Sequence, residues 1–417
     1  MADRAQGDLE ELTALFAPAH RIDPYPGYAD LRATRPIWQV ADRFFVASRH
    51  RDCAAVLRDA RFGHAEGDEL VDRRPPAGVL GGAAAEERAP VRSFLGLNPP
   101  DHTRLRRLVS RSFTTRRVES LAPQVWQITR TLLADIAESG TDTVDFVDAF
   151  ASPLPVRVIC ELLGVPGEDR PRLVGWSHAL AKGLDPAFVV TDAERRAQVT
   201  ARDEFAAYLV DAIAERRRSP GDDLLSALVE THDRADGLSQ AELVATCILL
   251  LIAGHETTTS LIANGVLALS RHPEELQRLR DDAGLAASTV EELLRYDSPV
   301  QLTMRMALAD AEIGDVPVPR GSFVLLLLGA ANRDPEAHLE PDHLDITRAP
   351  NVHLGFGQGI HFCLGAPLAR MEAQIALRAL AAGVRDLRLV GAPEWKDMVV
   401  LRGVRHLEVA MTVSAAS

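Results

Sequence analysis

The stretch that opens at Ser239 and runs to His272-Pro273 limits the possible folds more than any other part of the chain. Ser239 with Glu242 makes a capping box, helical spacing continues to Arg271, and the proline stops it. At 1.5 Å per residue this is a helix of roughly 45–50 Å, long enough to cross a whole domain. Its first half, Leu243 to Gly254, is apolar on nearly all sides, as a helix running through a core must be. A transmembrane span is the rival reading. His255-Glu256 interrupts the run after about a dozen residues, short of the ~20 that a bilayer requires, so no membrane is expected.

The remaining pattern builds around that helix. Ile37 to Val40 and Phe44 to Ala47 flank a turn and predict two short strands, followed by a helix from about His50 to Arg58. Residues 62 to 96 are rich in Gly, Ala, Pro and charge and predict a long loop with one short helix at most; loops of that length in enzymes tend to be functional. Helical patterns dominate from Asp101 to Arg280, interrupted at Gly183 to Val190 by a connection between two helices. A second capping box, Ser288 with Glu291, predicts a short helix to Tyr296, and strands are expected at Met306 to Ile313 and Ser322 to Leu328. The fold class is mainly α with small β-sheets. No repeat or linker divides the 417 residues, so one domain over 1–417 is expected.

Composition excludes some functions. A formal charge of −13 argues against nucleic acid, which requires a basic face, and 47% hydrophobic content supplies a large core. The acidic N-terminus carries no export signal, so a cytoplasmic protein is expected. Cys53, Cys160, Cys247 and Cys363 are scattered with no CxxC pair. The first three sit among apolar helical neighbours and read as small core residues.

Cys363 differs. It lies in His353-Leu354-Gly355-Phe356-Gly357-Gln358-Gly359-Ile360-His361-Phe362-Cys363-Leu364-Gly365-Ala366-Pro367, which has four glycines between 355 and 365, a backbone that turns tightly and approaches something closely. Helical sequence from Pro367 to Leu380 puts Cys363 just before a helix N-terminus, where N–H groups and the dipole favour a thiolate. Such a thiolate can be a metal ligand or a nucleophile, and a glycine-rich turn that holds a cysteine for no chemical reason is the plain alternative. A cysteine hydrolase would want a His base, and His361, two residues away, is badly placed for it. The string resembles the haem-binding signature of the cytochrome P450 family, Phe-x-x-Gly-x-x-x-Cys-x-Gly, through Phe356, Gly359, Cys363 and Gly365. The resemblance covers nearly the whole chain and is nearest to soluble bacterial members.

That resemblance implies haem b held between the long central helix and the helix after Cys363, with Cys363 as the thiolate ligand to iron. Further segments fit it. Ala253-Gly254-His255-Glu256-Thr257 places a buried acid, a hydroxyl and a glycine inside a helix, against local preference. A kink with a back-bonded Thr is the structural alternative. In the family this segment is a local helix break that activates dioxygen, with Thr257 hydrogen-bonding the oxygen and Glu256 in the proton relay. Glu292 and Arg295, at i and i+3, form a pair too common on helix surfaces to mean much alone. In the family that pair is buried and bonded to a meander, here Asp334 to Arg348; His343 stands where an Arg is more usual, and whether it completes the triad is left open. His102 and Arg106 at i and i+4, with Arg305 and His361, align with the family's propionate partners, against the alternative of a solvated basic face for His102 and Arg106.

Residues 104 to 117 carry six arginines and no acid in an acidic protein. The resemblance implies that this face docks ferredoxin, and without a flavin or dinucleotide motif the electrons come from NAD(P)H through ferredoxin reductase. A monomer is expected. The substrate pocket would be formed by residues 62–96, Leu173 to Val190, Ala253, Val300 to Thr303 (Val300, Leu302, Thr303) and Met398 to Leu401 (Val399, Val400), apolar enough for a hydrophobic small-molecule substrate. Oxygen insertion into a polyketide or macrolide, terpenoid or steroid scaffold is the expected reaction. The alternative is a haem-thiolate enzyme doing peroxide-driven, isomerase or C–C/C–O coupling chemistry, and a haem sensor without turnover is a further rival; retention of Glu256 and Thr257 argues against both.

Overall fold

The protein is described by a computed structural model over residues 2–65, 93–186, 189–233 and 237–413. The central helix spans Gln240–Arg271, and its capping box forms as expected: Glu242 N–H donates to Ser239 Oγ at 3.2 Å and Ser239 N–H to the Glu242 carboxylate at 2.7 Å. Nineteen of its residues are buried, and at about 1.5–3 kcal/mol for each buried large apolar side chain it is the main organiser of the core. It is long and apolar enough to meet the criterion for a membrane span, but 61% of its most apolar window is buried inside the protein. Around it pack Pro153–Leu163, Arg170–Lys182, Asp192–Arg218, Ala286–Tyr296 and Ala366–Gly383.

Gly254 marks a close approach of two helices. A Cβ there would lie 3.0 Å from Ile159 Cδ1, so the glycine lets Pro153–Leu163 press against the central helix.

A five-stranded sheet lies to one side, in the order Ile37–Ala41, Phe44–Ala47, Phe323–Leu327, Leu302–Ala307, Phe62–Gly63. The early strands and helix His50–Arg58 match the sequence reading. Two expectations are corrected. The strand expected over Met306 to Ile313 is two strands, Leu302–Ala307 and Ala311–Ile313, separated at Asp310, whose carboxylate accepts the Arg320 N–H at 2.8 Å and so ties down a turn. The capping box expected at Ser288 and Glu291 does not form. The helix starts earlier, at Ala286; Ser288 Oγ donates to the Leu285 carbonyl, and the Glu291 carboxylate is taken by Arg370 and His353. Most of the expected loop 62–96 lies outside the described residues, as do Ala187 and Phe188 of the connection between helices.

Candidate functional site

The segment before helix Ala366–Gly383 is folded back on itself, with Cys363 N–H donating to the Phe356 carbonyl at 2.9 Å. Gly359 makes this possible. Its φ is +70°, and a Cβ there would lie 2.2 Å from the Leu57 carbonyl oxygen, so both conformation and space demand glycine. Phe356 lies against the Arg370 guanidinium, 4.6 Å from the ring centre, and Arg370 is fixed by two bonds to Glu291 at 2.6 and 2.7 Å.

Cys53, Cys160 and Cys247 are fully buried, as their apolar neighbours indicate, and Cys363 alone is partly open. The expectation that the helix N-terminus makes it a thiolate is met only in part. Burial raises its pKa; the Gly365 and Ala366 N–H groups and the Arg106 and Arg370 guanidiniums pull the other way without overcoming it. The polypeptide lowers the cost of a thiolate, and a coordinated metal ion would remove the rest.

Near the cysteine lies a cluster of nitrogen donors that is short of acceptors. His102 and His361 stand with ring centres 4.2 Å apart, and both ring nitrogens of each are buried with no hydrogen-bond partner among the described residues. The His64 ring, which the sequence reading missed, stands 4.7 Å from that of His361. The missed signal was its place within the long loop 62–96. Arg305 is 7% exposed, and its guanidinium donates to Thr303 Oγ1 at 3.2 Å and to the Met304 carbonyl at 2.8 Å, with no carboxylate against it among the described residues. Desolvation alone pulls its pKa down to about 10. Burial, with His64, Arg305, His102 and Arg106 nearby, takes His361 to about 3, so its ring is neutral. Arg106 donates to the carbonyl of Phe362, next to Cys363.

Buried cations and imidazoles with this many open donors are costly unless an anion satisfies them. A sulfur ligand beside them completes the donor set that a metalloporphyrin with two carboxylates would require. The residues present fit haem.

On the central helix, Leu249, Ala253 and Thr257 form a stripe more open than its neighbours, with Ala253 exposed. The expected helix break is not an interruption, since the α-helix is continuous over Gln240–Arg271. Thr257 Oγ1 instead donates to the Ala253 carbonyl at 2.7 Å and Thr258 Oγ1 to that of Gly254 at 3.2 Å, the back-bonding that bends helices without ending them. Glu256 is buried, with Lys396 Nζ at 2.7 Å.

Of the other pocket residues, Val300 and Val400 pack with the cluster of Ala181, Met398 and Leu401, beside Ile252 of the central helix. Thr303 shares a strand face with Arg305. Leu302, one residue away, takes the opposite face, as the two-residue period of a strand requires, and it and Val399 are both buried in the cluster that includes Leu12 and Phe16, a correction to the placement of both. Asp185, in the connection above, accepts the backbone N–H groups of Val399 and Val400 at 2.9 Å each and so clamps the two walls together.

Glu292 and Arg295 are buried and joined by two 2.8 Å bonds. The third member is Arg348, whose Nε lies 3.1 Å from both Glu292 oxygens. His343 is exposed and contributes only its carbonyl, which accepts from Arg295 and Arg348 at 3.1 Å each.

The cytochrome P450 family model matches residues 82–286 and 282–381. This chain belongs to the cytochrome P450 family. It is 41% identical over 411 residues to the 6-deoxyerythronolide B hydroxylase of Saccharopolyspora erythraea, covering 95% of this chain and 98% of that one. It is 42% identical over 412 residues to the cytochrome P450 monooxygenase PikC of Streptomyces venezuelae, covering 96% and 93%. Among solved structures it is similar to the ligand-free Mycobacterium smegmatis CYP164A2, with a TM-score of 0.87 and 43% identity over 96% of this chain and 99% of that one. As a cytochrome P450 it is a haem-dependent monooxygenase with a mainly α fold and small sheets.

Proposed function

We propose that this cytochrome P450 inserts one oxygen atom into a macrolide-type polyketide scaffold, with Cys363 as the iron ligand. The observation that carries the site assignment is the buried group of Arg305, His102 and His361, whose open donors sit beside the only partly open cysteine. Arg305, His102 and His361 hold the two propionates, with Arg106 positioned by the Phe362 carbonyl at the cysteine edge. Phe356, Gly359 and Gly365 shape the loop around Cys363. Bound haem supplies dioxygen activation, and its thiolate ligand favours O–O cleavage.

The protein's own groups then do four things. Ala253 and Thr257 form the open face of the central helix and orient substrate and oxygen. Thr257 holds its hydroxyl proton toward Ala253 and can turn to donate it, and Glu256 resupplies that hydroxyl. Val300 and Val400 form an apolar wall that excludes water, with the Thr303 hydroxyl engaged by Arg305 on the adjoining strand. Glu292, Arg295 and Arg348 keep the meander in place behind the cysteine loop.

The substrate class rests on two relatives, the 6-deoxyerythronolide B hydroxylase and the mycinamicin IV hydroxylase/epoxidase of Micromonospora griseorubida, together with this apolar wall. Electrons come from NAD(P)H through ferredoxin reductase and a ferredoxin. Arg104 is paired with Glu242, which leaves Arg107, Arg111 and Arg116 exposed for an acidic partner. A single catalytic domain, a cytoplasmic location and a monomer complete the reading. The test is turnover of a macrolactone panel with ferredoxin, ferredoxin reductase and isotopically labelled dioxygen. One labelled oxygen in the product is expected, and steroid or terpenoid turnover with every macrolactone refused would overturn the substrate assignment.

A further inference from the structure

The Glu256 carboxylate is enclosed by groups from three elements. Lys396 Nζ donates to Oε2 at 2.7 Å and lies 3.4 Å from Ser260 Oγ. His255 Nε2 and His178 Nδ1 stand 3.8 and 3.6 Å from Oε1. Glu256 itself has a side-chain exposure of 5%, so a proton that reaches it must pass through a neighbour that exchanges with water.

The three neighbours differ in that respect. His255 is buried, its Nδ1 lies 3.0 Å from Ser177 Oγ, and desolvation takes it to about 4, so its ring is neutral and sealed. Lys396 is one-tenth exposed and committed to Glu256 and Ser260. His178, on helix Arg170–Lys182, is 66% exposed. Its 3.6 Å separation is an ion-pair distance and too long for a hydrogen bond, yet an exposed ring samples rotamers in picoseconds to nanoseconds and can close the gap.

We propose that protons reach Glu256 from solvent through His178, and that Lys396 is the positioning residue that holds the carboxylate at this inlet between transfers. The inference rests on the assignment of Glu256 to the proton relay. In the step itself, doubly protonated His178 gives its Nδ1 proton to Glu256 Oε1. The N–H bond breaks as the O–H bond forms, leaving a neutral imidazole and a carboxylic acid, and water then reprotonates the ring. No electrons change hands. Burial acts to raise the Glu256 pKa, but His178, Lys396 and His255 more than offset it and hold the group below the usual carboxylate range. Glu256 returns to its anion when it passes that proton on to the Thr257 hydroxyl, and the Lys396 ammonium favours the anion that is left.

The experiment uses the reconstituted holoenzyme with a converted substrate. His178→Gln keeps the haem spectrum and the substrate-induced spectral shift but lowers product formed per NAD(P)H by roughly tenfold or more, with the balance recovered as peroxide. Glu256→Gln does the same, and the double variant is no worse than Glu256→Gln alone, because both act in one path. If Glu256→Gln uncouples and His178→Gln does not, the inlet is wrong and the relay stands; if neither uncouples, the relay assignment has failed first. Independently of turnover, infrared spectra of Lys396→Met should gain a carboxylic-acid C=O band that is absent from wild type and Lys396→Arg and is lost again in Lys396→Met/Glu256→Gln. No such band in Lys396→Met would remove the role given to Lys396.

Discussion

Arg295 and Arg305 are ten positions apart, both buried, and opposite in what surrounds them. Arg295, with no exposed surface, donates to both Glu292 oxygens and to the carbonyls of Asn332, Pro341 and His343 at 2.7–3.1 Å. Among the described residues Arg305 has a hydroxyl and a carbonyl, and no acid. A buried charge is tolerable only when paired and hydrogen-bonded. The first arginine is satisfied by the polypeptide and serves the fold, whereas the second has donors left over, as the propionate role proposed for it requires.

The largest effect comes from breaking the satisfied side. Glu292→Gln leaves Arg295 and Arg348 with no carboxylate between them, and about 3–5 kcal/mol of stability is expected to go. Denaturant unfolding of the variant measures it, and a loss under about 1 kcal/mol would mean that the network is not a structural lock. Arg305→Leu should behave in the opposite way. It removes an unpaired buried cation, so the haem-free protein keeps its stability, while haem transfers to a competing acceptor roughly ten- to a hundredfold faster as one charged hydrogen bond of about 1.5–3 kcal/mol is lost. Equal haem retention would erase the contrast between the two arginines.

A pH effect sharpens the comparison on the structural side. His338, buried near Arg295 and Arg348, is pulled by desolvation and by those cations to about 3, against 6.5 for a free histidine. Between those values the unfolded chain binds a proton that the folded one refuses. Stability is therefore lost as pH falls from about 6.5 towards 3 and is unaffected by this group above that window. Replacing His338 with Phe should reduce the acid slope of unfolding by up to about 1.4 kcal/mol per pH unit. An unchanged slope would mean that the ring is not held neutral. The smallest effect is His343→Ala, expected within about 0.5 kcal/mol because only the carbonyl is used; a cost like that of Arg348→Ala would restore the ring to the triad.

The contrast also separates what could be read from the sequence. The central helix was legible because its start signal is local, and both halves of the Ser239–Glu242 capping box lie within one turn. The cysteine loop was legible because Gly359 answers to a backbone demand that only glycine meets. Arg348 was not, since the chain path through the meander selects it over His343 and main-chain carbonyls do half the work. The Ser288–Glu291 pair had the same local pattern as the true capping box, and distant Arg370 and His353 claimed its acid. Leu302 and Thr303 were assigned to one wall because sequence position alone does not say which strand face meets the pocket. Local signals survived where no distant partner competed for the same atoms, and partners far apart in sequence did not announce themselves.

The most direct test of the account is the carbon monoxide difference spectrum of the dithionite-reduced protein, wild type beside Cys363→Ala. The wild type should give the strongly red-shifted Soret band of thiolate-ligated haem, and the variant should lose it. A wild-type band at the position of histidine-ligated haem, or an unchanged band in the variant, would contradict the assignment of Cys363.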